Sequence, residues 1–122
     1  MSETPASIVL PDVMDIAQRL ASAENWQPFR PGVTAHWLYK EPDGGPSAVF
    51  LRYEPGARVT LHEHVGYEHM LVIQGDQYDE HGDYPAGTFV AHPPGTRHSP
   101  GSHGGCIALL VYDKAVRFIE TG

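Results

Sequence analysis

A chain of 122 residues is one domain, and at that size it hides about two-thirds of its unfolded surface, so folding requires neither disulfides nor a structural metal. Eight Lys and Arg against fifteen Asp and Glu leave a formal net charge of −7, the wrong sign for phosphate backbones or anionic lipid, which sets aside nucleic acid and membranes as partners. The single cysteine, Cys106, forms no intrachain bridge and belongs to no CxxC pair, so a reducing cytoplasm is the expected compartment.

The chain begins MSETPASIVLP, with no basic start and no long apolar core, and is not expected to be a secretory signal. In PDVMDIAQRLASAE, residues 11–24, Val13, Ile16, Ala17 and Leu20 recur at steps of three and four, and Pro11 suits a first turn. One short helix is predicted there, so residues 1–25 are read as an N-terminal segment and 26–122 as the main domain of a single structural unit. From Trp26 onward the text breaks into short apolar or alternating runs. The predicted strands are VTAHWLY (33–39), SAVFLRY (47–53), ARVTLHEH (57–64), EHMLVIQG (68–75), DQYD (76–79), GTFVAH (87–92), TRHSP (96–100) and CIALLVY (106–112). That last run is the longest apolar stretch and falls far short of the ~20 residues of a membrane helix. Turns are expected at EPDGGP (41–46), EPG (54–56), DEHGD (79–83), YPAG (84–87) and HPPG (92–95), where Pro or Asp meets Gly. This pattern predicts an all-β sandwich or small barrel rather than a βαβ sheet.

The chemistry concentrates in GARVTLHEHVGYEHMLVIQG, residues 56–75. On a strand His62 and His64 project from one face with Cα atoms about 6.5 Å apart, close enough to share an ion. Glu68 keeps their parity, and Gly66 permits the bend that swings its carboxylate back. Met70 and Val72 continue the same face as an apolar wall. Thirty residues on, HPPGTRHSP places His98 just after a rigid turn. Three imidazoles and one carboxylate suit Fe(II), Mn(II), Ni(II), Co(II) or Zn(II). In octahedral coordination such a set leaves two positions open, whereas a tetrahedral zinc would be closed.

The spacing resembles a known family. From Gly56 there are five residues to His62, one to His64, three to Glu68 and six to Gly75, which looks like the first cupin motif. From Gly87 there are five to Pro93, one to Gly95 and two to His98, which looks like the second, with Ser102 where Asn is usual. The stretch GDQYDEHGDYPAGTFVAHPPGTRHSPGSHGGC is similar to the ChrR-like cupin subgroup, and the likeness runs from Trp26 to Tyr112. It implies a cupin double-stranded β-helix, a jelly roll, with one short N-terminal helix. It also implies one divalent metal, Fe, Zn, Mn or Ni with Fe or Zn favoured, on His62, His64, Glu68 and His98, and a homodimer through outer strands. The implied activity is that of small non-haem Fe(II) dioxygenases acting on a β-dicarbonyl or ketone. The alternative is a zinc-binding sensing module without turnover, like the cupin half of ChrR-type anti-sigma factors.

The other histidines are expected to be surface or structural. His69 has the parity that faces away from the ion, His81 lies in a turn, His103 in a Gly-rich loop, and His36 and His92 in strands from which either could approach the pocket. Cys106 is read as a small buried hydrophobe. Trp26, Trp37, Phe50, Phe89 and Tyr112 are read as mostly core, with some of them expected at the cavity mouth, though parity does not select which.

Overall fold

The apolar runs at 47–53 and 106–112 are buried on both faces, and the sheet is assembled around them. The computed structural model describes residues 5–20 and 26–119. Its strands are β1 (Gln27–Arg30), β2 (Val33–Lys40), β3 (Ser47–Tyr53), β4 (His62–Glu63) and β5 (Glu68–Asp79). They continue with β6 (Gly82–Pro85), β7 (Phe89–His92), β8 (Arg97–His98), β9 (Cys106–Tyr112) and β10 (Arg117–Phe118). The larger sheet runs β1-β2-β3-β9-β5-β6, with β7 also paired to β5, and a smaller one runs β10-β4-β8. This is the expected all-β jelly roll in one domain, and no helix among the described residues is long and apolar enough to cross a membrane.

The inner face of the large sheet carries Val33, Ala35, Val49, Leu51, Met70, Val72, Ala108 and Leu110, which pack with Val59 as the main core. The outer face carries Phe50, Ile73 and Ile107, and Ile16 and Ala17 close over them. Burying such side chains is worth roughly 1.5–3 kcal/mol each, which is why strands covered on both sides read as unbroken apolar text. A single 3₁₀ turn (Val13–Asp15) leads into α1 (Ile16–Leu20). The predicted helix is therefore real at its apolar core, while its last positions, 21–24, lie outside the described residues.

The strand text 57–64 pairs as a ladder only at His62–Glu63, because Val59 N–H turns to Pro100 O and Leu61 O takes Ile119 N–H. Three strands lay unpredicted. β1 contains a proline, β6 lies in text read as turns, and β10 has two residues, so none carries a usable alternation. The predicted strands 68–75 and 76–79 are one, β5, and its register with β9 shifts between Val72 and Gln74. That bulge inverts the alternation. Glu68, Met70 and Val72 point inward ahead of it, and Gln77 and Asp79, of the opposite parity, are buried after it. At Gly75 a β-carbon would lie 2.0 Å from Gly105 O, so only glycine allows this part of β5 to pass the loop leading into β9.

Candidate metal centre

His62 is placed by its pairing between Phe118 of β10 and His98 of β8. His64 follows in the loop, its N–H bonded to Thr96 O and its carbonyl accepting from Gly95 N–H at 2.8 Å. Gly95 takes φ +91° there, the conformation the HPPG turn needs to deliver β8 to β4. Glu68 opens β5. The chain bends at Gly66, where Asp113 and Lys114 approach so closely that a β-carbon would meet them at 3.0–3.1 Å.

These elements bring together all four residues named from the sequence. One donor atom from each of His62, His64, Glu68 and His98 lies within 4.8 Å of every other, and all four side chains are buried. The ring centroids of His62 and His98 are 4.6 Å apart, and those of His64 and His98 4.7 Å.

The hydrogen bonds behind the rings decide what the front atoms can do. His62 Nδ1–H donates to Thr60 O at 3.0 Å. Thr96 Oγ1 gives its proton to Pro93 O at 2.7 Å, so it accepts from His64 Nδ1–H at 2.9 Å. His98 Nδ1–H donates to Asp79 Oδ2 at 3.0 Å. This assignment puts every ring proton on Nδ1 and leaves Nε2 of all three rings as a bare lone pair facing the cluster. His64 Nε2 lies 2.7 Å from Glu68 Oε2, an ion-pair distance without hydrogen-bond geometry. Two lone pairs held that close repel unless a proton or a cation bridges them, and three imidazoles and a carboxylate converging there form a donor set that fits a divalent metal.

Protonation agrees. Burial lowers His62, and it pulls His98 down to about 4 against the opposing pull of Glu68 and Asp79, so these imidazoles are neutral near pH 7. Burial works to raise the Glu68 carboxyl, but the contact with His64 leads the effects that outweigh it, so the carboxyl lies below its ordinary value and is ionised near pH 7.

Three residues of the centre were missed or misjudged. Asp79, read as the start of a turn, has a fully buried side chain. Its Oδ1 accepts from His81 N–H (2.8 Å), Gly82 N–H (3.2 Å) and Tyr84 O–H (3.0 Å), leaving Oδ2 for His98. His92, expected to be a surface or ordinary structural residue, is buried, stacks on His64 at 4.6 Å and lies 4.6 Å from His98. It forms a second close group with Asp79 and His98. Gln77 was not singled out at all. The β5 bulge is what brings Gln77 and Asp79 inward, and no spacing rule reveals it.

The remaining histidines lie away from the donors. His69 stacks between Tyr67 and Phe89 on the outer face, His103 stacks on Tyr78, and His36 packs against Trp26 and Phe50. Phe89 is a correction, since it is 63% exposed rather than core. Cys106 is buried, and burial pushes its thiol up to about 11, so it is no nucleophile. Ser102, at the position of the usual Asn, is wholly buried, and its loop is held through main-chain bonds to Gly56 and Ala57.

Beside the donors lies a cavity of about 10 Å³, measured at the centre of a water-sized sphere, which is room for little more than one water. Tyr53, Gln77, Leu110 and Tyr112 line it together with His62, Glu68 and His98. Phe29, Tyr112, Val116 and Phe118 border both this cavity and an outer groove of about 370 Å³.

With that geometry in view, residues 15–116 match the family described as the ChrR cupin-like domain. The chain belongs to this family. No curated protein matches it. Among solved structures it is similar to an acetylacetone dioxygenase from Acinetobacter johnsonii, at 14% identity and a TM-score of 0.76, covering 98% of this chain and 81% of that one. It is also similar to a chain of Rhodobacter sphaeroides SigE in complex with the anti-sigma ChrR, at 25% identity and a TM-score of 0.67, covering 89% and 70%. A third is an RmlC-like cupin protein from Ralstonia eutropha, at 23% identity and a TM-score of 0.70. That match covers 78% of this cupin but only 66% of the Ralstonia chain's own length.

Proposed function

We propose that this ChrR-like cupin holds one divalent metal, Fe or Zn before Mn or Ni, on His62, His64, Glu68 and His98. We further propose that the loaded site oxygenates a small neutral β-dicarbonyl or ketone. The observation that carries the reading is the convergence of three bare Nε2 atoms on an ionised carboxylate. When bound, Fe(II) would supply Lewis acidity and electrons for O₂ chemistry, with two of six positions free.

The chain's own residues select the substrate. No Lys or Arg lines the cavity among the described residues, so a carboxylate or phosphate substrate finds no partner there. Tyr53 and Tyr112 keep their protons, because burial and the charge of Glu68 raise both well above the usual phenol range. Neutral hydroxyls and apolar walls of Leu51, Val59 and Leu110 favour a neutral carbonyl and exclude water from it. The test is oxygen consumption by Fe(II)-loaded protein given 1,3-dicarbonyls and aryl ketones. No uptake across the panel ends the oxygenase reading.

The size of the cavity favours a second reading, a zinc-binding sensing module without turnover. Elemental analysis of protein purified without affinity column or chelator separates the two. Iron supports oxygenation, and stoichiometric zinc supports sensing. The assembly we propose is a homodimer in the cytoplasm, joined through the exposed outer-face patch of Tyr67, His69, Phe89 and Val111.

A further inference from the structure

Gln77 is 1% exposed, and neither Nε2 nor Oε1 of its amide has a hydrogen-bond partner among the described residues. It lies on the inner face of β5 opposite Tyr84 of β6 and lines the same small cavity as His62, Glu68 and His98. A leucine would fill that place at lower cost to folding, because an unpaired buried amide forfeits the hydrogen bonds it makes in water. The core therefore does not explain the residue.

A ligand does. The cavity has room for little more than one water, and Phe29, Tyr112, Val116 and Phe118 form the wall it shares with the outer groove. Displacement of that wall would let a molecule set a carbonyl oxygen beside the donor cluster with its body among aromatic rings. An amide presents a donor and an acceptor side by side, which complements a carbonyl adjoining a hydroxyl or enol and gives a charged oxyanion no charge to pair with.

The geometry points to Gln77 as the residue that reads the head of the ligand, its Nε2–H donating to the carbonyl oxygen of a neutral β-dicarbonyl or hydroxyketone. This deepens the proposed function and rests on the metal reading of the same site. His92 does not line that cavity, so it is not placed for the same role.

The experiment uses the whole chain loaded with Co(II), whose visible spectrum reports ligand arrival, titrated with acetylacetone in wild type, Gln77→Leu and Gln77→Met. Both variants are expected to bind one Co(II) with wild-type affinity, to melt at or above the wild-type temperature, and to bind acetylacetone about ten-fold more weakly. Unchanged acetylacetone affinity in the variants overturns the role of Gln77 alone, with the metal reading intact. Lower melting temperatures, or failure of both variants to fold, assign the amide to the core and overturn it as well. Wild-type protein that takes up no Co(II) brings down the metal reading and this inference with it.

Discussion

Nε2 of His64 and Oε2 of Glu68 face each other at 2.7 Å, buried, with the ring proton already committed on the far side to Thr96. With neither a proton nor a cation between them, the two lone pairs repel. Glu68→Gln places an amide N–H against the lone pair instead. It is expected to stabilise the metal-free protein by about 1 kcal/mol for one hydrogen bond gained, and so to raise its melting temperature. The same change should weaken metal binding by about 100-fold or more, since an anionic donor to the cation becomes neutral. Thermal denaturation with and without chelator and elemental analysis read the two opposed effects. Parallel losses in both would remove the argument from facing lone pairs.

Asp79 acts through His98. Its carboxylate, gripped by two main-chain N–H groups and Tyr84, fixes His98 with Nδ1 protonated and Nε2 forward. Asp79→Asn keeps the shape and removes the charge, and metal affinity should fall by about 10- to 100-fold, as for other carboxylates behind a metal-bound imidazole. Competition against a chelator of known affinity measures it. An unchanged constant would show that the pair is only structural.

Acid should destabilise the metal-free protein in a defined window. Burial pulls His98 from its usual 6.5 to about 4, so between those values the unfolded chain binds a proton that the folded one refuses. Stability is then full above about pH 6.5 and declines as pH falls toward 4, by about 3 kcal/mol from this group. Denaturant midpoints across that range test the sign. In His98→Gln the decline should shrink.

Chelation should soften the protein without unfolding it. The two apolar clusters on either face of the large sheet do not depend on the donors, so cooperative thermal unfolding survives metal removal. What is lost is the binding linkage, about 2.7 kcal/mol with free metal at a hundred times Kd. Circular dichroism before and after chelator is the measurement, and collapse of the β signal would contradict it.

Phe89 offers a test of assembly. It is 63% exposed and stacks on His69 beside Tyr67, an aromatic surface with no role at the donor cluster. If the chain forms the proposed homodimer through this patch, Phe89→Glu should shift sedimentation from dimer to monomer and leave metal stoichiometry unchanged.

The cupin architecture was legible because its signals are local. β3 and β9 announced themselves as apolar runs, the HPPG turn as Pro-Pro-Gly, and α1 as residues 13, 16, 17 and 20. Strands of two residues, such as β4, β8 and β10, were poorly marked, because pairing across the barrel rather than propensity makes them strands. Phe89 shows the limit of reading aromatic residues as core, since a strand alternation says which residues share a face but not whether that face is covered.

The amino-acid order alone singled out His62, His64, Glu68 and His98 as candidate ligands, through two-residue alternation, one preset turn and the resemblance to the two cupin motifs. Folding in three dimensions decided what stands behind and beside them. A one-residue bulge between Val72 and Gln74 reverses the alternation of β5, carrying Asp79 to His98 and Gln77 to the cavity, and antiparallel pairing of β5 with β7 sets His92 opposite Glu68. Those placements depend on strand register across the sheet, a quantity set by many contacts at once and carried by no single stretch of the chain.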